Sequence, residues 1–182
     1  MLPALVLLAA LPLAAPVDPW QDLRFLVGTW EADAAPGGPT SGSFRFDVEL
    51  DGHVAVRRGR AVVPPSAVAP GAPAVHEDLT VFHPAADGIV ASFWDNEGHV
   101  IRYRVRASPD GVVQESEAGS GGPRFRLTYR RLAPDRLEVV FAVAPPGGEF
   151  REHVKGTARR VSAPVPAPAG GATAPPRPAA GS

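Results

Sequence analysis

Residues 89–107 read IVASFWDNEGHVIRYRVRA. Ile89, Ala91 and Phe93 alternate with Val90, Ser92 and Trp94. After Asn96, Glu97 and Gly98 the alternation resumes, with Ile101, Tyr103 and Val105 opposing Arg102, Arg104 and Arg106. A period of two is the signature of a strand with one buried face. A three-residue loop ending in glycine suits a hairpin, because glycine takes the left-handed conformation that closes it. The loop also sets the register: Asp95 opposite His99, Phe93 opposite Ile101, Ala91 opposite Tyr103 and Ile89 opposite Val105. All the later pairs are apolar, so that face is inward. Asp95 and His99 share it, at one end of the sheet.

The same pattern extends in both directions. Strands are predicted at 28–33, 43–50, 53–63, 76–83, 89–95, 99–107, 112–117, 124–131, 136–144 and 150–160. Phe44, Phe46, Val48 and Leu50 oppose Ser43, Arg45, Asp47 and Glu49. Phe125, Leu127 and Tyr129 oppose Arg124, Arg126 and Arg130, and Leu137, Val139, Phe141 and Val143 complete the apolar set. Asp51-Gly52 suits a two-residue hairpin, and Ser108-Pro109-Asp110-Gly111 a tight turn. Only WQDLRFL, residues 20–26, has helical spacing, with Trp20, Leu23 and Leu26 on one side. The fold class is therefore all-β: an antiparallel up-and-down β-barrel of about ten strands with a short N-terminal helix. Closure is favoured because it removes the unpaired edges that a two-sheet sandwich would keep.

Composition agrees. The 182 residues include 22 Pro and 19 Gly, a load that suits many turns and not long helices. Lys and Arg number 18 against 19 Asp and Glu, for a net charge of −1, so nucleic acid, which wants an excess of clustered basic charge, is not an expected partner. One of the 18 is lysine, Lys155, leaving 17 arginines. Cys is absent, which excludes disulfides, thiolate zinc sites and a thiol nucleophile.

Three segments are expected. Residues 1–17 begin MLPALVLLAALPLAA, an apolar run ending in small residues, and read as a secretory signal peptide without a basic n-region. At about 15 residues the run is shorter than the roughly 20 of a spanning helix. Residues 18–161 form the barrel. Residues 162–182, rich in Pro and Ala and without an aromatic, read as a disordered tail. Residues 34–41 and 64–75 are loops long enough for a lid or rim.

The stretch Leu23-Arg-Phe-Leu-Val-Gly28-Thr-Trp30-Glu31, a short helix running into a Gly-x-Trp strand, resembles the start of calycin-type barrels: lipocalins, fatty-acid-binding proteins and nitrobindin-like proteins. The ten-strand count is closer to the last two. The run from His76 through Tyr103, with Phe125 to Tyr129 and Ala144-Pro-Pro-Gly147, resembles an exported bacterial group of uncharacterised lipocalin-like proteins. The resemblance implies that Trp30 packs beneath an arginine near the end of the barrel, Arg159 or Arg160. It also implies a secreted or periplasmic location and a small apolar or amphipathic ligand inside the barrel.

Candidate site residues follow from register. Asp95 and His99 could set a tautomer, act as a general base or hold a metal, with Tyr103 as a further catalytic candidate, or they could form a cross-strand pair that caps the barrel. A two-residue turn at 51–52 places Arg57 opposite Phe46 on the apolar face; a three-residue loop places Arg58 there instead. Fatty-acid-binding barrels commonly hold a carboxylate on an interior arginine. The alternative is an internal Arg–Asp or Arg–Glu pair. The ligand-contacting set is thus Arg57, Arg58, Phe46, Phe93, His99, Tyr103 and Tyr129. His76 and Asp78 share a strand face, with His83 on the other, but two ligands without a third make no metal site. Nitrobindin-like barrels bind haem through a histidine near the barrel's end, and His153 holds a comparable position, although its alternation with Arg151 and Lys155 puts it on the wet face. Three functions are carried forward: a binding barrel, a haem barrel, and an enzyme working through Asp95 and His99.

Overall fold

The computed structural model describes residues 18–33, 41–63, 74–117, 119 and 121–162. Ten antiparallel strands follow a 3-10 helix, Gln21–Leu26: β1 (Gly28–Ala32), β2 (Ser41–Glu49), β3 (Val54–Val63), β4 (Ala74–Ala85), β5 (Gly88–Asp95), β6 (Val100–Ser108), β7 (Gly111–Ser116), β8 (Arg124–Ala133), β9 (Arg136–Ala144) and β10 (Arg151–Ser162). Each strand pairs with its neighbours in sequence, and β1 pairs with β10, so the sheet closes into a barrel. The predicted signal peptide lies outside the described residues, as do residues 163–182 of the predicted tail and nearly all of the two long loops. Ser162, expected in the tail, instead ends β10, where it pairs with Thr29.

The predicted registers are observed. Gly98 has φ 91°, the N–H of Asp95 donates to the His99 carbonyl at 3.3 Å, and Phe93, Ala91 and Ile89 pair with Ile101, Tyr103 and Val105. Phe46 pairs with Arg57, as the turn at Asp51-Gly52 requires. Both turn residues have positive φ, 54° and 90°. Leu50 departs from the expected apolar face. It too is left-handed, at φ 52°, which lifts it out of the strand and leaves it 70% exposed.

One end of the barrel is plugged. Trp20, Leu23 and Leu26 of the N-terminal turn are buried, and the helix packs against β6 and β7. Burying each of these side chains contributes about 1.5–3 kcal/mol. The Trp20 indole donates to the Gly52 carbonyl at 2.6 Å, tying the plug to the β2–β3 turn. Trp30 is fully buried and donates to the Leu26 carbonyl at 2.7 Å. Arg160, its partner across β1 and β10, lies over the indole at 4.2 Å and donates to the carbonyls of Val27 and Phe25. Of the two arginines expected there, Arg160 is the one that closes the barrel. Arg159 points outward to Glu31.

Candidate functional site

The alternation that builds the barrel aims one residue in two at its axis. At the plugged end these are Phe46 and Phe82, with rings 5.1 Å apart, together with Val112 and Leu137. Toward the other end the inward residues stop meeting and leave a cavity of about 540 Å³. Its walls include Phe93, Ile101, Leu127, Val139 and Phe141, and the rings of Phe125 and Phe141 stack at 6.1 Å. A volume of that size suits a small organic molecule.

The floor of the cavity is polar. Arg57 projects from β3 and forms an ion pair with Asp78 of β4, both largely buried. Its guanidinium also lies over the Phe44 ring, 5.0 Å from the centroid. The internal Arg–Asp pair is thus the arrangement the chain uses. Gly59 makes room for it: it pairs with Asp78 across β3 and β4, and a Cβ there would collide with both the Asp78 carboxylate and the Arg57 guanidinium. Thr80 and Gln114 are each 1% exposed and line the same floor. Three buried polar atoms fall short of a well-formed hydrogen bond among the described residues: Arg57 Nε, Gln114 Nε2 and Tyr129 Oη, the last of which faces the Arg57 guanidinium. Two of these are obligate donors. Leaving a buried donor unpaired costs about 1–3 kcal/mol, and the barrel carries two such donors on residues that line its cavity.

Burial raises the phenol of Tyr129 to about 12, against the opposing pull of Arg57. Burial raises Tyr103 as well, assisted by Tyr129 and Asp78. Both therefore stay neutral and offer hydroxyl groups only. Tyr103 lines the cavity and meets Phe93 edge-on at 6.4 Å. Tyr129 is fully buried against Phe44, with ring centroids 5.5 Å apart, and does not line the cavity.

The mouth carries a second polar group. The Asp95 side chain is 4% exposed and that of His99 61%, with His99 Nδ1 2.8 Å from Asp95 Oδ2. Asp95 Oδ1 accepts the backbone N–H groups of Glu97 at 3.0 Å and His99 at 2.8 Å. Burial disfavours the carboxylate charge, but the donors of His99 and Glu97 outweigh it and lower the Asp95 pKa. Hydrogen bonding to Asp95, then its charge, raises that of His99. The pair shares one inward face, as the hairpin register requires, and both residues line the cavity.

Other expected residues lie elsewhere. Arg58 faces outward and pairs with Glu49 at 2.8 Å, because the register that brings Arg57 inside sends its neighbour out. Phe46 is buried at the plugged end and does not reach the cavity. His153 is exposed, sits where a bulge interrupts the β9–β10 register, touches Phe141 edge-on at 6.2 Å and is not part of the cavity lining. A haem held inside the barrel does not fit a histidine in that position. His83 is exposed, with its ring against the Pro84 carbonyl. His76 does gain the convergent partners that its own strand lacks: one donor atom from each of His76, Asp95 and Glu97 falls within 4.8 Å of the others. Gln114 and Thr80 were missed by sequence reasoning. The parity of Val112, Gln114 and Ser116 against Val113 and Glu115 carried the signal for the first.

No family model and no curated protein matches the chain. A solved structure described as "Structure of EF1p2_mFAP2b bound to DFHBI" matches at 14% identity, over 79% of this chain and 99% of that one, with a TM-score of 0.27. At that score the likeness carries no argument. The barrel rests on its own strand pairing, and ten closed antiparallel strands behind a short helical turn fit a calycin-type fold.

Proposed function

We propose that this protein binds a small, mainly apolar molecule inside the barrel, with a hydrogen-bond acceptor at the molecule's inner end. The observation that carries this reading is the apolar-walled cavity that has the polar side chains of Arg57, Thr80 and Gln114 among its lining. Because Asp78 already balances the Arg57 charge, a neutral acceptor such as a ketone, ester or amide carbonyl suits the floor better than a carboxylate. The apolar N-terminal run and the resemblance to exported lipocalin-like proteins support a secreted or periplasmic site of action. N-terminal sequencing of protein from its own host, expected to start near residue 16–18, tests that part.

Native mass spectrometry of the host-derived protein, before and after denaturation, tests the binding reading. A stoichiometric small-molecule mass lost on denaturation is expected, and Gln114→Leu should lower its occupancy. A host-derived barrel free of any such mass, and unable to take up neutral carbonyl compounds in vitro, would end this reading.

A further inference from the structure

We propose that the mouth of the barrel is a binding site for one divalent transition-metal ion of the zinc class, held by His76, Asp95 and Glu97. The three donors come from two parts of the chain: His76 from β4, and Asp95 and Glu97, two residues apart, from the end of β5 and the hairpin loop that follows it. His76 Nδ1 and Glu97 Oε1 are 3.2 Å apart, and the full triad lies within 4.8 Å. Zinc bonds to nitrogen and oxygen of about 2.0–2.2 Å place the ligands of a tetrahedral ion roughly 3.3 Å from one another. Small side-chain rotations therefore suffice to close the triad on an ion.

The backbone beneath the triad is fixed by Asn96. Its side-chain amide donates to the Val75 carbonyl at 2.8 Å, its side-chain oxygen accepts the Glu77 N–H at 3.0 Å, and its own N–H donates to the Glu77 carbonyl at 3.0 Å. These bonds lock the hairpin loop to both sides of His76. Asp95 is oriented in turn by two backbone donors on Oδ1 and by the His99 ring on Oδ2. Support of that kind around a ligating carboxylate sharpens a metal site, and it makes His99 a positioning residue.

Charge points the same way. In an arginine-rich chain, Glu31, Asp33, Asp78, Glu115 and Glu138 each pair with Arg. Among the described residues, Asp95 and Glu97 form ion pairs only with imidazoles. Two carboxylates facing imidazole nitrogen make a mixed N/O set. The imidazole favours zinc-class ions over calcium and magnesium, and the lack of sulfur disfavours copper(I). Three protein ligands leave a coordination position open. All three line the cavity, so a water or a ligand atom inside the barrel can fill it.

The site is separate from the Arg57 and Gln114 floor, so either proposal can fail without the other. The test uses the full chain without a histidine tag, stripped with chelator. Cobalt(II) titration should produce the visible bands of a low-coordinate ion, saturating at one equivalent and bleached by zinc. Zinc calorimetry should give one site. His76→Ala and Glu97→Gln, both at exposed or half-exposed positions, should each weaken zinc at least tenfold with circular dichroism unchanged. His53→Ala, on the turn at the plugged end, should bind as the wild type does. No saturable zinc binding by the wild type would overturn the proposal, as would wild-type affinity in both His76→Ala and Glu97→Gln.

Discussion

The two ends of this barrel are built from the same alternating strands and reach opposite solutions. At the plugged end Trp30 and Trp20 have partners for their indole N–H groups, Arg160 has two carbonyls and a ring to cover, and Phe46 meets Phe82. At the open end Arg57 and Gln114 keep buried donor atoms without partners, and carboxylates meet histidines at the cavity mouth. Satisfied polar groups in a dense core mark architecture, and unsatisfied ones beside a void mark a place prepared for something else. The predictions below press on that contrast.

The largest effect belongs to the plugged end. Trp30→Ala should cost about 3–5 kcal/mol, the range for deleting a large buried aromatic, read from the urea midpoint. A loss under 1 kcal/mol would mean that the plug does not hold the barrel shut.

At the cavity floor the expected behaviour is one of pairing. Asp78→Asn leaves the Arg57 charge without its counter-ion and should cost about 3 kcal/mol, the low end for a broken buried pair because the cavity mouth admits water. The double variant Arg57→Met, Asp78→Leu should recover most of that stability while losing ligand discrimination. If the double variant is as unstable as the single one, the pair is a structural element of the barrel and the contrast between the ends weakens.

Leu50 offers a smaller change of opposite sign. It is an exposed left-handed leucine beside the Asp51-Gly52 turn, so Leu50→Gly should stabilise the protein by about 1 kcal/mol. The thermal midpoint should rise by a few degrees, with no change at the open end.

Much of this was legible in the sequence, and what was not has a physical reason. The strand faces and the three-residue hairpin at 96–98 followed from a period of two and from the turn residues, which also put an arginine opposite Phe46 but left Arg57 and Arg58 both open until the strand pairing chose Arg57. That logic could place Asp95 beside His99 because one short loop joins them. It could not place His76 beside Glu97, since they lie on different hairpins and meet only through the β4–β5 register and the side chain of Asn96. Nor does alternation show whether an inward polar residue finds a partner. Arg57 found Asp78, while Gln114 found none, and that difference depends on how the strands come together around the barrel. Leu50 escaped its face because one positive φ outweighs a hydrophobic pattern.

The smallest effect is a pH dependence at the mouth, measured with chelator present. The raised His99 pKa means that the contribution of its pair with Asp95 is fully present below the ordinary value of 6.5 and is lost as pH rises through the raised value. The lowered Asp95 pKa means that its contribution persists down to acid pH and is lost only as pH falls through the depressed value. The melting-temperature difference between wild type and His99→Ala should therefore be visible at about pH 6 and close by about pH 9. A difference that is constant across that range would remove the charged pair from the account.

The central claim is that the open end receives a ligand that the plugged end cannot. Its most direct test is a titration with prodan, a neutral naphthalene dye bearing one ketone, followed by its emission. The wild type should bind it saturably at one site with a blue shift. Gln114→Leu should weaken binding, and Leu127→Trp, which fills the cavity, should abolish it while the protein stays folded. Equal binding by wild type and a folded Leu127→Trp would place the dye outside the barrel, and no saturable binding by the wild type would contradict the claim itself.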